Sequence, residues 1–376
     1  MAKHEEVAVE DTRKQGVPKV EELTNLLGED KFLISYRDRV YDIREFLAFH
    51  PGGKRVFAYL KNKSLDNAFL ENPHSKGAFH LLEDFILNDA EKNQEYEGLI
   101  DWNKPILRQV GTLGERYWEW VNLPVNRQVR LFQSNLLESL SITPWYLIPI
   151  VWIPVCAYFL CMGFTKIATN YSGGILCDAF ISYGFGLLNW TILEYVLHRK
   201  LFHFKPPATS KTLITLHFIL HGVHHKAPFD NRRLVFPPVV GLLVTKLLWY
   251  AYSSVFSEMM IHFIAAGTVT GYICYDLMHY YLHYGAPKAG SYLYNMKRNH
   301  NYHHFLHHDL GFGISSKLWD HAFGTDVYLR QLLKPIECTR QEQRCARDKT
   351  DNQNEISGIQ MQTTHQCVPV VTRKGT

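Results

Sequence analysis

The chain has little of what marks a secreted, disulfide-bonded or nucleic-acid-binding protein. Its 376 residues include seven cysteines, none in a Cys-x-x-Cys pair, and their scatter favours reduced thiols. The first thirty residues lack the apolar core of about 7 to 15 residues that a removable secretory signal needs. A net charge of +4 is too small to indicate nucleic-acid binding. We therefore expect any membrane insertion to depend on segments further along the chain.

Long apolar runs are missing from both ends of the chain and concentrated in its middle. The mean hydropathy of −0.17 and the 20% of charged residues resemble those of a soluble enzyme, but these averages hide a segregated sequence. Crossing about 30 Å of hydrocarbon takes around 20 residues. Four stretches meet this length, although the fourth could also be a buried core helix of a soluble domain. The predicted spans are residues 144–164, 175–197, 238–257 and 259–282.

Basic residues predict how these spans are oriented. Lysine and arginine favour the cytosolic side of short loops. Lys166 is the only basic residue in the loop before the second span, whereas the loop after that span is rich in them. We expect the later loop, and with four spans both termini, to be cytosolic. The basic residues of that loop are Arg199, Lys200, Lys205, Lys211, Lys226, Arg232 and Arg233.

Ten histidines form four groups beside or between the apolar stretches. Residues three or four apart on a helix share a face, so one short segment can offer two or three imidazoles to one point. Neutral imidazole binds iron, zinc, copper and nickel. Ten ligands are too many for one ion, and the pattern therefore predicts a dinuclear centre. The predicted ligands are His198, His203, His221, His224, His225, His279, His283, His300, His303 and His304.

Other histidines are not assigned to the metal. His217, His307, His308 and His321 lie among the predicted ligands and could replace a neighbour, but they fall outside the two His-x-x-His-His triplets. A lone histidine such as His262 is more often structural than a ligand.

An amino-terminal motif indicates a second cofactor. His50-Pro51-Gly52-Gly53 follows the strand-like run 40–42, and its glycines allow a backbone to approach a flat cofactor closely. The motif resembles that of a cytochrome b5 haem domain. The resemblance implies that His74, with a helix over about 75–87 after it, is the second axial ligand, His80 being the alternative. Two axial histidines leave no open position on haem iron, which favours electron transfer.

An electron-carrying haem joined to a dinuclear histidine site implies a reaction that consumes electrons, and oxygen activation is the obvious one. We expect two iron ions in the active protein, although a purified sample could hold zinc.

The histidine strings resemble those of the fatty acid 2-hydroxylase family. The resemblance covers roughly residues 20–95 and 140–330. It implies O2-dependent hydroxylation at C2 of long and very long acyl chains of ceramides, or of their free acid precursors, at the endoplasmic reticulum membrane with a flavoprotein reductase as electron source. The strings that carry it are Glu194-Tyr195 to His203, His221 to His225, Tyr275-Asp276 to His283, His300 to His304, and Leu318-Trp319-Asp320 with Phe323-Gly324-Thr325.

The predicted fold is an α+β cytochrome b5-like haem domain followed by an all-α, four-span membrane domain with a cytosolic histidine-rich cap. Aromatic residues Tyr117, Trp118 and Trp120 in the linker either lie on the bilayer or belong to a plain connector. The polar tail is expected to be disordered and ends Arg373-Lys374, similar to a dibasic retrieval signal. The predicted segments are a flexible arm 1–19, haem domain 20–95, linker 96–140, membrane domain 141–335 and tail 336–376.

Two carboxylates lie close to predicted ligands. Glu194 precedes His198 by four residues and Asp276 precedes His279 by three, so each could accept a proton from a ligand ring. Pairing with Arg199 or Arg232 is the alternative. Tyr275 could line a substrate channel or simply pack.

Other functions remain open on the same residues. An acyl desaturase or sterol oxidase linked to cytochrome b5 would use similar histidines. A metal transporter or a non-enzymatic haem-binding membrane protein explains the two halves of the chain less well.

Overall fold

The computed structural model describes residues 31–57, 59–87, 95–169 and 175–329. The predicted arm 1–19 and tail 336–376, with the Arg373-Lys374 ending, lie outside these ranges. The cysteines in the described part of the chain are free, in keeping with the expected reduced thiols.

The amino-terminal domain is built on a small mixed sheet. Its strands are β1 (Leu33–Tyr36), β2 (Arg39–Asp42) and β3 (Lys63–Ser64), in the order β2-β1-β3, with β1 antiparallel to β2 and parallel to β3. Arg37 and Asp38 join β1 to β2 with positive φ angles of 47° and 60°, the left-handed conformation of a tight two-residue hairpin turn. The predicted strand at 40–42 is thus confirmed.

Two short helices complete this domain, α1 (Asp66–Glu71) and α2 (Lys76–Leu82). The Ser75 hydroxyl caps α2 by accepting from the Ala78 N–H, and a 3-10 turn extends the helix to Phe85, as the prediction for 75–87 requires. The core of the domain consists of Ile34, Tyr41, Ile43, Phe57, Leu65, Leu81, Phe85 and Ile86.

The segment predicted as a linker shares one apolar core with residues 214–227 and folds into three short helices. These are α3 (Leu107–Val110), α4 (Tyr117–Val121) and α5 (Asn135–Leu140). Tyr117 and Trp120 are buried against Ile214 and Phe218, so neither ring is available to a bilayer.

Eight helices form the rest of the described chain. Their bounds are α6 (Leu147–Thr169), α7 (Ile175–Val196), α8 (Lys211–His217), α9 (Val223–Lys226), α10 (Pro238–Ser253), α11 (Glu258–Tyr284), α12 (Tyr292–Phe305) and α13 (Leu318–Phe323). Two π-helical segments, Leu197–Phe202 after α7 and Phe218–Gly222 before α9, carry histidines.

The described residues contain two helices long and apolar enough to cross a membrane, Leu147–Thr169 and Leu176–Phe202. The four-span prediction is therefore not confirmed. At about 1.5 Å per residue, the 16 residues of α10 reach only about 24 Å. Helix α11 has 27 residues, but half of them are buried inside the protein and its last turns are polar. Hydropathy alone does not distinguish such a core helix from a span.

The amino-terminal domain contacts both the 96–140 segment and the histidine-rich part of the chain. Asp84 accepts a hydrogen bond from the Asn126 N–H at 2.6 Å and pairs with Arg127 at 3.1 Å. Phe229 and Phe305 pack against the apolar core of the domain. The arrangement brings a haem-type domain against the loops that hold the predicted metal ligands.

Two glycines allow α7 and α11 to approach closely. A Cβ at Gly186 would lie 2.2 Å from the Ile264 carbonyl oxygen, and one at Gly267 would lie 2.1 Å from the Tyr183 carbonyl oxygen. Small residues at such a crossing bring helix backbones into contact.

We predict that Gly267→Leu destabilises the protein by at least about 1–3 kcal/mol, because the new side chain would force α7 and α11 apart. Thermal unfolding of the detergent-solubilised chain measures this. Gly184→Leu is the matched control, since a Cβ at Gly184 meets no atom of the described residues within 4 Å. Equal unfolding midpoints for the two variants would contradict the role of this contact.

Candidate metal centre and haem site

All ten predicted ligands lie together at one end of the helical bundle. His198 and His203 come from the π-helix after α7 and its end, and His221 from the π-helix before α9. Helix α9 contributes His224 and His225, α11 contributes His279 and His283, and α12 contributes the remaining three.

The histidines form two groups in which every ligand nitrogen lies within 4.8 Å of the others. Within the described residues, neither group includes a carboxylate or a thiol. His225 belongs to neither group, but its Nε2 is 3.2 Å from that of His203 and its ring stacks on His304. The first group is His224, His279, His283, His300 and His304, and the second is His198, His203, His221 and His303.

Each His-x-x-His-His triplet is divided between the two groups. His221 joins the second group and His224 the first, while His303 joins the second and His300 with His304 the first. One segment therefore offers two rings to one point in the second triplet, through His300 and His304, but in neither triplet do all three rings meet. A π-helix ends at Gly222, between His221 and His224, and its wider winding turns the two rings apart.

Backbone carbonyls hold the outer nitrogens of three rings. The Nδ1–H of His198 donates to Phe312 O at 2.6 Å, that of His279 to Leu234 O at 3.1 Å, and that of His303 to Leu310 O at 2.7 Å. A proton fixed on Nδ1 leaves the Nε2 lone pair directed into the cluster, which is the usual arrangement of a metal-bound histidine.

The inner nitrogens have the spacing that a shared cation requires. Across six ring pairs the Nε2 atoms lie 2.8 to 3.2 Å apart. Two ligands at right angles on an ion with bonds of about 2.0–2.1 Å would be about 2.9 Å apart. His300 Nε2 faces the Nε2 atoms of both His283 and His304. A single proton shared among these three nitrogens could not satisfy all three lone pairs. The donor set therefore fits two metal ions.

Burial keeps the rings neutral. It lowers the pKa of His221, His224, His225 and His300 well below the usual value, and neighbouring histidines reinforce the effect. A neutral ring can bind a metal without first losing a proton. The site is thus ready to bind a cation at pH 7.

Two unassigned histidines lie beside the second group. The His308 ring is 5.7 Å from that of His225, and the His217 Nδ1 is hydrogen bonded to the Tyr117 hydroxyl. Both lie outside the triplets, and neither belongs to one of the two groups. His321 is exposed and paired with Asp326.

The two carboxylates do not act on ligand rings. The outer partners of His198 and His279 are backbone carbonyls, whereas Glu194 accepts from Ser315 and Asp276 accepts from the Phe236 N–H and the Tyr272 hydroxyl. The prediction that Glu194 and Asp276 accept protons from ligand rings is wrong. Backbone carbonyls of loops distant in sequence already accept the Nδ1–H groups of His198 and His279. The predicted pairing of either acid with Arg199 or Arg232 is not seen in the described contacts either: Arg199 donates to the Tyr195 hydroxyl, and Arg232 pairs with Asp230.

An apolar cavity of about 180 Å³ adjoins the histidines. Phe202, in its wall, stacks on His221 with ring centroids 5.3 Å apart, and Tyr275 stacks on His279 at 6.1 Å. Tyr275 lines this cavity, as its channel interpretation expects, and Glu194 lines it as well. Its wall includes Trp152, Phe159, Trp190, Glu194, Leu197, Leu201, Phe202, Leu220, Phe236, Val240, Trp249, Tyr252, Tyr272 and Tyr275.

The amino-terminal domain brings the rings of His50 and His74 close together, tilted by 36°. Their ring centroids are 6.1 Å apart, which leaves room for one iron bonded to both at about 2 Å. A Cβ at Gly52 would lie 3.1 Å from the His50 ring, and Gly53 has a φ of +77°, so both positions favour glycine. Burial, reinforced by His74 and Lys297, lowers the pKa of His50 to about 3 and keeps the ring neutral. His80, the alternative haem ligand, is hydrogen bonded to Glu97, with 3.2 Å between its Nε2 and the Glu97 Oε1.

We predict that His300→Ala removes at least one metal ion per chain, because its Nε2 contacts two other ligands of the first group. Metal analysis of the purified protein by plasma mass spectrometry measures this. His262→Ala is the control, since that buried ring bonds to Glu258 O and lies in neither group. Full metal content in the His300 variant would argue against the first group as a metal site.

Comparison with known proteins gives the same division of the chain. Residues 183–325 match the fatty acid hydroxylase family, and residues 19–91 match the cytochrome b5-like heme/steroid binding domain. A fatty acid 2-hydroxylase of Macaca fascicularis is 40% identical over 340 residues, which cover 79% of this chain and 91% of that protein. A dihydroceramide fatty acyl 2-hydroxylase of Arabidopsis thaliana is 41% identical over 228 residues, which cover 60% of this chain and 92% of that protein.

A solved structure agrees with the fold. Full-length scs7p, of which only the hydroxylase domain is visible, aligns with a TM-score of 0.56 at 29% identity and covers 66% of this chain and 94% of that one. The resemblance inferred from the histidine strings and the His-Pro-Gly-Gly motif is confirmed, and the chain belongs to the fatty acid 2-hydroxylase family.

Proposed function

We propose that this protein hydroxylates C2 of long acyl chains, using O2 and a pair of iron ions held by the ten histidines. The observation that carries the proposal is the position of two all-imidazole groups at the end of an apolar cavity. Iron supplies oxygen-activating chemistry when bound, whereas zinc in the same ligands has no redox activity. The protein supplies ligands, geometry and an environment from which water is excluded.

The cavity supports an acyl substrate. Its wall is aromatic and aliphatic, contributed chiefly by α6, α7, α10 and α11, and it meets the histidines through Phe202 and Tyr275. A hydrocarbon tail in this cavity would gain the free energy of leaving water. The head of the molecule would then lie at the metal-binding end, so that C2 is the carbon presented there.

Electrons would enter through the amino-terminal domain. A haem held by His50 and His74 carries one electron at a time when bound. A continuous series of four ring contacts connects His50 of the predicted haem site to His304 of the first histidine group. Successive centroids are 5.9 Å apart for His50 and Phe46, 5.9 Å for Phe46 and Phe229, 6.3 Å for Phe229 and Phe305, and 6.3 Å for Phe305 and His304.

We further propose a multi-pass location in the endoplasmic reticulum membrane, with the histidines and both termini cytosolic and a flavoprotein reductase as electron donor. Support comes from the basic loop after α7 and from apolar side chains on the outer faces of three helices. The exposed apolar residues include Ile150, Ile153, Phe164, Phe180, Ile181, Leu188, Val239, Leu243 and Leu247.

Expression in cells that lack their own 2-hydroxylase tests the reaction. We predict that the intact chain produces 2-hydroxyacyl sphingolipids, measured by mass spectrometry, and that His224→Ala abolishes them because this ring belongs to the first group. His262→Ala should retain the product. New double bonds or oxidised sterols, with no 2-hydroxyacyl lipid from well-expressed protein, would favour a desaturase or sterol oxidase instead.

A second prediction concerns the ring contacts. Phe229→Leu should slow reoxidation of the reduced haem several-fold in the full chain, because electron tunnelling weakens steeply when packed contacts open. Stopped-flow absorbance of the haem measures the rate, and haem content should be unchanged.

Phe79→Leu is the matched control for that experiment. The Phe79 ring packs at 6.4 Å from His74, and its ring contacts are with residues of the same domain. Equal reoxidation rates in the two variants would exclude Phe229 from the route.

A further inference from the structure

We propose that Lys297 acts as a fixed positive charge on the haem held by His50 and His74, and that it raises the reduction potential of this haem from outside the haem domain. The inference goes beyond the proposed reaction, because it concerns the charge beside the haem and not the chemistry at the metal-binding histidines.

Lys297 is a buried lysine of α12 with only 4% of its surface exposed. Its Nζ donates hydrogen bonds to the His283 and Gly285 carbonyl oxygens, both at 3.0 Å. An ammonium group has three donors, so one of them remains unused by these carbonyls. Among the described residues no acidic side chain pairs with Lys297, and burial lowers its pKa to about 8. The group is therefore protonated at pH 7, and the protein leaves its charge uncompensated.

The face of α12 that carries Lys297 packs against the haem domain. Phe305 follows Lys297 by about two turns on the same face of the helix. The Phe305 ring packs against the apolar core of the haem domain, and a Cβ at Gly77 in α2 would lie 3.3 Å from the Phe305 carbonyl oxygen. Lys297 thus lies at the junction between the haem domain and the histidine-rich part of the chain.

Contacts at the end of α11 bring this charge close to His50. Lys297 binds the carbonyls on either side of Tyr284, and the Tyr284 ring contacts the Phe49 ring with centroids 5.1 Å apart. Phe49 directly precedes His50. After burial and the axial partner His74, the charge of Lys297 is a further cause that lowers the pKa of His50. In the described part of the chain, no other charged side chain acts on His50 in this way.

A fixed positive charge favours the reduced haem. Ferric haem iron becomes ferrous by taking up one electron from an external donor, and a nearby cation stabilises that electron most where water does not screen the interaction. Loss of the charge would therefore lower the reduction potential. Because Lys297 lies outside the haem domain, the haem would have the raised potential only while the haem domain and α12 are in contact.

Lys297 also has a structural role, since it satisfies carbonyls at the end of α11. Substitutions separate this role from the charge. Lys297→Gln keeps an N–H donor for the carbonyls but removes the charge. Lys297→Met removes both while it keeps an unbranched side chain, and Lys297→Arg keeps both.

Spectroelectrochemical titration of the haem absorbance in the purified full chain measures the effect, with zinc in the histidine site so that the haem is the only redox group. At the midpoint potential of the intact chain, the ratio of reduced to oxidised haem should fall at least about threefold in Lys297→Gln and in Lys297→Met. Lys297→Arg should keep the ratio of the intact chain. Lys288→Gln is the matched control and should also keep it, because Lys288 is exposed in the loop after Gly285 and does not act on His50.

An unchanged ratio in both neutral variants would overturn the inference. Equal shifts in Lys297→Gln and Lys297→Arg, or haem lost from all three variants alike, would also overturn it, because a purely structural role gives these results. Haem retained by Lys297→Arg but lost from both neutral variants would support a charge that acts on the haem. A purified chain that takes up no haem would reject the haem site together with this inference, whereas absence of 2-hydroxy product from haem-loaded protein would reject the proposed function alone.

Discussion

Neutral imidazoles that direct their lone pairs at one another inside a protein repel unless a cation lies between them, and much of this structure follows from that constraint. Four separate segments must bring their histidines to the same place, and carbonyls such as Phe312 O and Leu310 O must hold protons on the outer nitrogens. Burial raises the cost of leaving the lone pairs unsatisfied. The geometry of the cap is therefore that of a site built around metal.

The local part of this arrangement could be predicted from sequence. His279 and His283 share a helical face wherever the helix lies, whereas His74 could be predicted as the second haem ligand only through the resemblance to a cytochrome b5 domain. The division of the triplets and the carbonyls that contact the ligands depend on how segments distant in sequence pack together; a π-helical turn precedes His224 in the first triplet, whereas the second triplet lies in the α-helix α12. The four-span count is not confirmed for a related reason, because hydropathy does not reveal that half of the residues of α11 are buried inside the protein.

Helix α7 combines several functions through its four-residue periodicity. Gly186 contacts α11, Trp190 and Glu194 line the cavity, and His198 in the following π-helical turn belongs to the second histidine group. Each step is about one helical turn. A single face thus runs from the helix contact, along the apolar cavity, to the second histidine group.

The glycine contact between α7 and α11 has a consequence for the spacing of the two histidine groups. These helices lead to His198 in one group and to His279 in the other. Because backbone meets backbone at Gly186 and Gly267, the crossing does not depend on side-chain rotamers. Because the two helices are in direct backbone contact, a tilt of α7 in a membrane would carry α11 with it and preserve the spacing of the two histidine groups.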